Sequence, residues 1–168
     1  MASESYDLVL RGGRCFTPSG VTELDVGVRN GRLAGIGVPS SASAAEVVDV
    51  SGLVVLPGCI DSQVHFREPG LEHKEDLATG TLAALMGGIT TIFEMPNTNP
   101  NTDSPERLAD KLKRAEGRAY TNHAFFVGAT GQNADQLAEL EQLPGTSGVK
   151  VFMGSSTGSL LVADQETL

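Results

Sequence analysis

The sequence has only two cysteines, Cys15 and Cys59, in 168 residues. They lie far apart and give neither zinc-site spacing nor a disulfide framework, so we expect two reduced thiols. Basic residues are also scarce, with 12 Lys and Arg against 21 Asp and Glu and a net charge of −9. This balance argues against nucleic acid and anionic membranes as partners, although a local cationic site can still bind a small anion.

Long hydrophobic runs are absent as well. No stretch approaches the ~20 apolar residues of a membrane span. The N-terminal MASESYDLVLRGG has no basic segment followed by an apolar core, as a signal peptide would. These features predict a cytoplasmic protein that does not contact the membrane.

Short runs rich in Val, Leu and Ile, separated by turn signals, fill residues 6–55. Asn30-Gly31 is a hairpin signal, and a Ser/Ala-rich loop follows at 39–46. The pattern predicts a small all-β domain over residues 1–55. So short a β unit is marginally stable alone, so we expect it to pack on something else.

After Pro57, apolar strands alternate with helix-length amphipathic segments. The expected strands are 58–66, 89–97, 119–130 and 148–154, and the expected helices are 74–88, 104–118 and 133–143. The first helix should carry acids in its first turn, and Ser104 should cap the second. Such alternation predicts a parallel sheet covered by helices, and units of roughly 27 residues match a (β/α)₈ barrel.

Residues 56–168 would therefore form the first four units of a TIM barrel. Half a barrel leaves an unpaired sheet edge near Val151, so we expect the chain to be a fragment of a longer protein. A doubly wound open sheet is the structural alternative. Against it, no Gly-rich phosphate-binding fingerprint follows the first strand.

Unusual polar residues cluster where the predicted parallel strands end, which is where reactive groups gather in such folds. They are Asp61, Gln63, His65, Arg67, Glu94, Asn97 and Lys150. The first four alternate by two, so we expect them to face one side of their strand.

Lys150 lies between two valines in an apolar strand. Burial favours the neutral amine, which can react with carbon dioxide to give a carbamate, a ligand able to bridge two metal ions. The alternatives are a lysine that extends out of the strand end or one that pairs with Glu94. Since His65 ends another strand on the same face, a metal site is favoured.

The other polar residues admit two interpretations each. His65 alone would more often be a packed histidine than a ligand, and Asp61 could orient a metal ligand or cap the loop. Arg67 and Asn97 offer hydrogen-bond donors suited to a carboxylate, or they brace loops.

Two motifs, HFREPG and EMPNT, lie within residues 57–100, and this segment resembles the first barrel segment of the dihydroorotases. These enzymes belong to the cyclic amidohydrolase group of the amidohydrolase superfamily. GVKVFMGSSTG resembles their fourth strand, and residues 6–37 resemble the small β-sandwich beside the barrel. The resemblance implies the N-terminal half of such an enzyme, with a β-sandwich over 1–55.

The implied activity is the metal-dependent, reversible hydrolysis of dihydroorotate to carbamoyl-aspartate in pyrimidine biosynthesis, by an enzyme expected to be a homo-oligomer. His65 then matches a zinc-binding histidine, and Lys150 matches the lysine whose carbamate bridges the metals. Arg67 and Asn97 match residues that hold the substrate carboxylate. The remaining histidines and the catalytic aspartate are expected beyond Leu168.

Gln63 departs from the family pattern, which has histidine there. A glutamine amide is a weaker ligand than imidazole, so the expected cofactor is one or two zinc ions. Hydantoinases, dihydropyrimidinases and allantoinases are alternatives, but the simple hydantoin and dihydropyrimidine rings have no carboxylate for Arg67 to bind. A catalytically impaired structural partner of aspartate transcarbamoylase is the non-enzymatic alternative, although most of the site residues remain.

Overall fold

A computed structural model describes residues 5–154 and 160–165. The chain divides into two compact units, Met1–Pro57 and Gly58–Leu168. The first unit contains strands, and the second alternates strands with helices, which confirms the α/β class. No helix in the described ranges is long and apolar enough to cross a membrane.

The first unit is a five-stranded sheet of order β3-β2-β1-β4, with β5 beside the second half of β1. The strands are β1 Ser5–Thr17, β2 Gly20–Arg29, β3 Arg32–Ile36, β4 Ser43–Asp49 and β5 Val54–Val55. The predicted hairpin joins β2 to β3, and Asn30 and Gly31 have φ of 51° and 68°, as a type I′ turn requires. Tyr6, Val9 and Val38 form the buried core.

The second unit contains a parallel sheet of order β6-β7-β8-β9. Its elements are β6 Cys59–Val64, α1 Leu77–Met86, β7 Ile89–Glu94, α2 Pro105–Ala115, β8 Asn122–Gly128, α3 Leu137–Glu141 and β9 Thr146–Lys150. Consecutive strands are neighbours, and a helix lies between each pair. This is the half-barrel order predicted from the sequence pattern.

Helices α1 and α2 both begin at side-chain caps. Asp76 accepts a hydrogen bond from the Thr79 N–H at 2.8 Å, and Ser104 caps α2 as predicted. The expectation of acids in the first turn of α1 is wrong, because the helix begins at Leu77. Its acids lie at the cap and one residue before it.

The core of this unit lies where the strands meet the helices. Its fully buried members are Leu77, Leu108, Ala115, Phe125, Val127 and Leu140. They come from α1, α2, α3 and β8, so the core fixes the helices against the sheet. Each buried Leu or Phe contributes roughly 1.5–3 kcal/mol.

The carboxyl end of β6 differs from the predicted strand. The register with β7 shifts between Asp61 and Val64, where the strand ends. Arg67 then adopts a left-handed conformation with φ of 75°. The predicted alternation is therefore wrong, because the register shift interrupts it after Asp61 and the left-handed Arg67 interrupts it again.

Candidate active site

His65 follows β6 directly and is half-buried. Its Nδ1 lies 2.9 Å from the amide oxygen of Asn97, which follows β7. An amide oxygen only accepts, so Nδ1 donates and the Nε2 lone pair is the one that can bind a metal. The carboxyl ends of two neighbouring strands thus meet through this contact.

Several groups act on the protonation of His65. Burial lowers its pKa, the hydrogen bond to Asn97 opposes that shift, and the positive charges of Arg67, Lys150 and Lys111 lower the pKa further. The neutral imidazole is therefore favoured. This is the form that binds metal ions.

Asn97 is buried, and the structure places its amide oxygen on His65. Sequence reasoning assigned Asn97 to the substrate carboxylate and missed this contact, although both residues had been placed at adjacent strand ends. Its substrate-binding role stays a prediction. In the structure, Asn97 orients the candidate metal ligand.

Arg67 places a half-buried guanidinium in the same region. Its side chain makes no hydrogen bond or ion pair with residues 5–154 or 160–165. Its positive charge acts on His65. Although the chain as a whole carries a net charge of −9, the Arg67 guanidinium has no acidic partner among the described residues and acts on the candidate metal ligand His65.

Below this region, Glu94 and Lys111 form a fully buried ion pair with Nζ 3.0 Å from Oε2. Lys111 also donates to the Met95 carbonyl at 3.3 Å. The possibility that Lys150 pairs with Glu94 is wrong, because Lys111 holds that position. Lys111 was missed, although its spacing of three from Leu108 and four from Ala115 puts it on the buried face of α2.

The two charges of this pair depend on each other. Burial raises the pKa of Glu94, while the charge of Lys111 and hydrogen bonds oppose the rise. Burial lowers the pKa of Lys111, and the charge of Glu94 opposes the fall. Removal of either partner would leave an uncompensated charge in the core.

Lys150 is the last residue of β9, in register with Gly128. Its Nζ lies 5.2 Å from the centre of the Phe152 ring. Lys150 is half-buried rather than buried, because β9 is the outermost strand of the sheet in the described part of the chain. Its role as a carbamate ligand stays a prediction.

The carboxyl half of β6, just before His65, contains Asp61 and Gln63. Gln63 is exposed, and the Asp61 carboxylate accepts from the Gln63 N–H at 3.0 Å. No three His, Cys, Asp or Glu side chains among residues 5–154 and 160–165 are grouped to hold a metal ion. The metal roles of Gln63 and Asp61 stay predictions.

The loops after β7 and β8 supply most of the lining of an open cavity of about 770 Å³. Half of its lining residues carry amide or hydroxyl groups, namely Asn97, Thr98, Asn99, Asn101, Thr130 and Gln132. The ion pair of Asp103 and Arg107 also lines it. Buried Asn133 ties the wall together, since its amide accepts from the Thr130 N–H and donates to the carbonyls of Asp103 and Gly128. The cavity therefore has a braced, polar wall that includes Asn97.

The loops that carry Arg67 and Asn97 pack backbone against backbone. The Asn99 N–H donates to the Pro69 carbonyl at 2.9 Å. A Cβ on Gly70, which has φ of 88°, would lie 1.9 Å from the Asn99 carbonyl oxygen. Only glycine fits there, so the two loops hold one fixed arrangement.

Comparisons with known proteins find a matching family model and similar sequences and structures. A family model described as dihydro-orotase-like matches residues 52–154. An allantoinase of Deinococcus radiodurans is 39% identical over 153 residues, covering 90% of this chain and 34% of the relative. A dihydroorotase of Bacillus cytotoxicus is 38% identical over 160 residues, covering 92% and 37%.

A similar solved structure is the L-hydantoinase (dihydropyrimidinase) of Arthrobacter aurescens. It superimposes with a TM-score of 0.87 at 29% identity, over 96% of this chain and 36% of that one. The chain thus spans about a third of the length of the relatives that it matches.

Proposed function

The chain belongs to the dihydro-orotase-like family, and from this membership we propose that the full-length protein is a metal-dependent cyclic amidohydrolase acting on dihydroorotate. It opens the cyclic amide to carbamoyl-aspartate and closes it in the reverse direction. Relatives named as dihydroorotases, allantoinases and hydantoinases support the reaction class. The choice of dihydroorotate depends on the charge of the site.

Arg67 is the observation that carries this choice. Its guanidinium is half-buried, uncommitted within the described residues, and close enough to act on the pKa of His65. A guanidinium matches a carboxylate in shape and charge. Dihydroorotate carries a carboxylate, whereas allantoin and simple hydantoins are neutral, so Arg67 favours dihydroorotate.

Among the described residues, His65 is suited to bind zinc. His65 offers Nε2, with its ring held by Asn97 and its pKa lowered toward the neutral form. Lys150, as a carbamate, and Gln63, through its amide oxygen, would complete this chain's share of the ligands. Zinc would polarise the ring carbonyl and activate water at neutral pH. Arg67 would hold the substrate carboxylate and thereby fix the ring orientation.

The test is an assay of the zinc-loaded full-length protein with dihydroorotate, allantoin and hydantoin. We expect turnover of dihydroorotate, and we expect Arg67→Met to lower kcat/KM by roughly 10- to 150-fold, since a hydrogen bond to a charged group contributes about 1.5–3 kcal/mol. Lys113→Met, which removes an exposed cation from α2, is the matched control. Unchanged kinetics in Arg67→Met would remove Arg67 from the site.

An allantoinase is the second candidate. The allantoinase relative is as similar to this chain as the dihydroorotase relative is, at 39% and 38% identity. The amide and hydroxyl groups that line part of the cavity also suit the neutral ureido group of allantoin. Turnover of allantoin in excess of dihydroorotate in the same assay would favour this assignment.

A non-catalytic partner of aspartate transcarbamoylase is less well supported. Gln63 favours it, but His65, Arg67, Asn97 and Lys150 all remain in the sequence. Zinc analysis of the full-length protein distinguishes an active enzyme from a structural partner. Protein with neither bound zinc nor turnover would favour the structural role.

A further inference from the structure

We propose that Glu94 and Lys111 are a buried positioning pair that fixes the segment 65–67, and with it the candidate metal ligand and the candidate substrate cation. This inference rests on the proposed function for its zinc and activity consequences. Its structural part is independent of that function. Neither residue needs to touch substrate or metal.

The Glu94 carboxylate holds the backbone of this segment directly. Its Oε1 accepts hydrogen bonds from the N–H groups of Phe66 and Arg67, both at 3.1 Å. The Phe66 N–H follows His65 directly in the backbone, and the second N–H belongs to Arg67. One oxygen atom thus fixes the backbone that orients both functional side chains.

Lys111 balances the negative charge of this carboxylate, so that its acceptor oxygen can stay buried beside the two N–H groups. Its Nζ lies 3.0 Å from the other oxygen of Glu94 and 3.3 Å from the Met95 carbonyl. It also lies 5.1 Å from the centre of the Phe125 ring. Because both members of the pair are fully buried, water does not compete for these contacts.

The segment 65–67 needs such support because its backbone is unusual. Arg67 has φ of 75°, a conformation that non-glycine residues adopt at an energetic cost. Between the two functional side chains, the Phe66 ring packs on α1, where a Cβ on Gly80 would lie 2.5 Å from it. The Phe66 ring thus fixes one side of the segment, and the Glu94 carboxylate fixes its N–H groups.

Two double variants separate the acceptor from the charges. Glu94→Gln with Lys111→Met keeps an acceptor oxygen for the two N–H groups and removes both charges. Glu94→Leu with Lys111→Met removes the charges and the acceptor. Leu140→Ala, which opens the same core away from this segment, controls for lost stability.

Amide hydrogen exchange at Phe66 and Arg67 is the first measurement, made on the full-length protein. We expect both amides to stay protected in the Gln/Met variant and to exchange faster in the Leu/Met variant. Zinc affinity by chelator competition is the second measurement. We expect the Leu/Met variant to lose about 10- to 100-fold, as is usual when groups supporting a metal ligand are removed, and Leu140→Ala to lose none.

Equal protection and equal zinc affinity in the two double variants would overturn the proposal. Should the Leu/Met variant fail to fold, the Gln/Met variant still decides, because loss of amide protection with the acceptor present would also overturn it. If the protein proves not to be an amidohydrolase, the exchange measurement still tests whether Glu94 fixes the backbone of the segment 65–67.

Discussion

Lys111 shows how much one buried side chain can matter at the residue scale. We expect Lys111→Met alone to lower the free energy of unfolding by about 3–5 kcal/mol, because Glu94 is left charged in the core. Urea unfolding of the full-length protein measures this. Adding Glu94→Gln to Lys111→Met should restore part of the loss, since no charge then remains buried. A loss that is no smaller in the double variant would show that the ion pair is not the cause.

Gly70 is a second residue-scale case, and Gly88 is its matched control. Both have nearly the same φ, 88° and 86°, but only Gly70 lies against another backbone. Gly88→Ala should cost about 1–2 kcal/mol from its φ alone. Gly70→Ala should cost a further 1–3 kcal/mol because the methyl group meets the Asn99 carbonyl. Equal thermal unfolding of the two variants would contradict the backbone contact.

At the scale of elements, the cap of α1 gives a pH-dependent prediction. The Thr79 N–H holds the pKa of Asp76 below its usual value. A lowered pKa contributes stability that is present above the unfolded-state pKa and is lost as pH falls through the folded-state value. Asp76→Ala should therefore cost about 1 kcal/mol near neutral pH, with a smaller difference in acid.

Asp76→Asn is the control for this cap, because asparagine caps helices about as well as aspartate and does not titrate. Unfolding measured from about pH 6 to about pH 3 should show the wild-type advantage over Asp76→Ala shrinking. Stability of Asp76→Asn relative to Asp76→Ala should stay constant. A wild-type advantage that persists in acid would contradict a role for the charged cap.

Most elements could be predicted from the sequence because their signals are local. Turn residues such as Asn30-Gly31, and caps such as Ser104, act within a few positions. The register shift before His65 and the pairing of Lys111 with Glu94 could not be found this way. They depend on contacts between β6, β7 and α2, which are distant in sequence. The helical spacing of Lys111 does place it on the buried face of α2, but it does not identify the partner. The candidate residues lie at or near the strand ends, as predicted, but their side-chain partners were not predicted.

At the scale of the whole molecule, the proposed zinc site would take only part of its ligands from this chain. Among the described residues, His65 is the imidazole at this edge of the sheet, and Gln63 stands two positions before it. We expect Gln63→His to raise the zinc bound per full-length chain, because imidazole binds zinc better than a glutamine amide. Metal analysis after exhaustive dialysis measures this, with exposed His73→Gln as the control. Unchanged zinc content would place residue 63 outside the metal site.

The backbone contact between Gly70 and Asn99 also limits how this scaffold can be re-engineered. A loop taken from an allantoinase or a hydantoinase cannot be grafted after β6 alone, because its partner loop after β7 must accept the same close approach. The two loops form one transferable cassette. Since Glu94 and Lys111 hold the start of that cassette, a chimera must also carry α2.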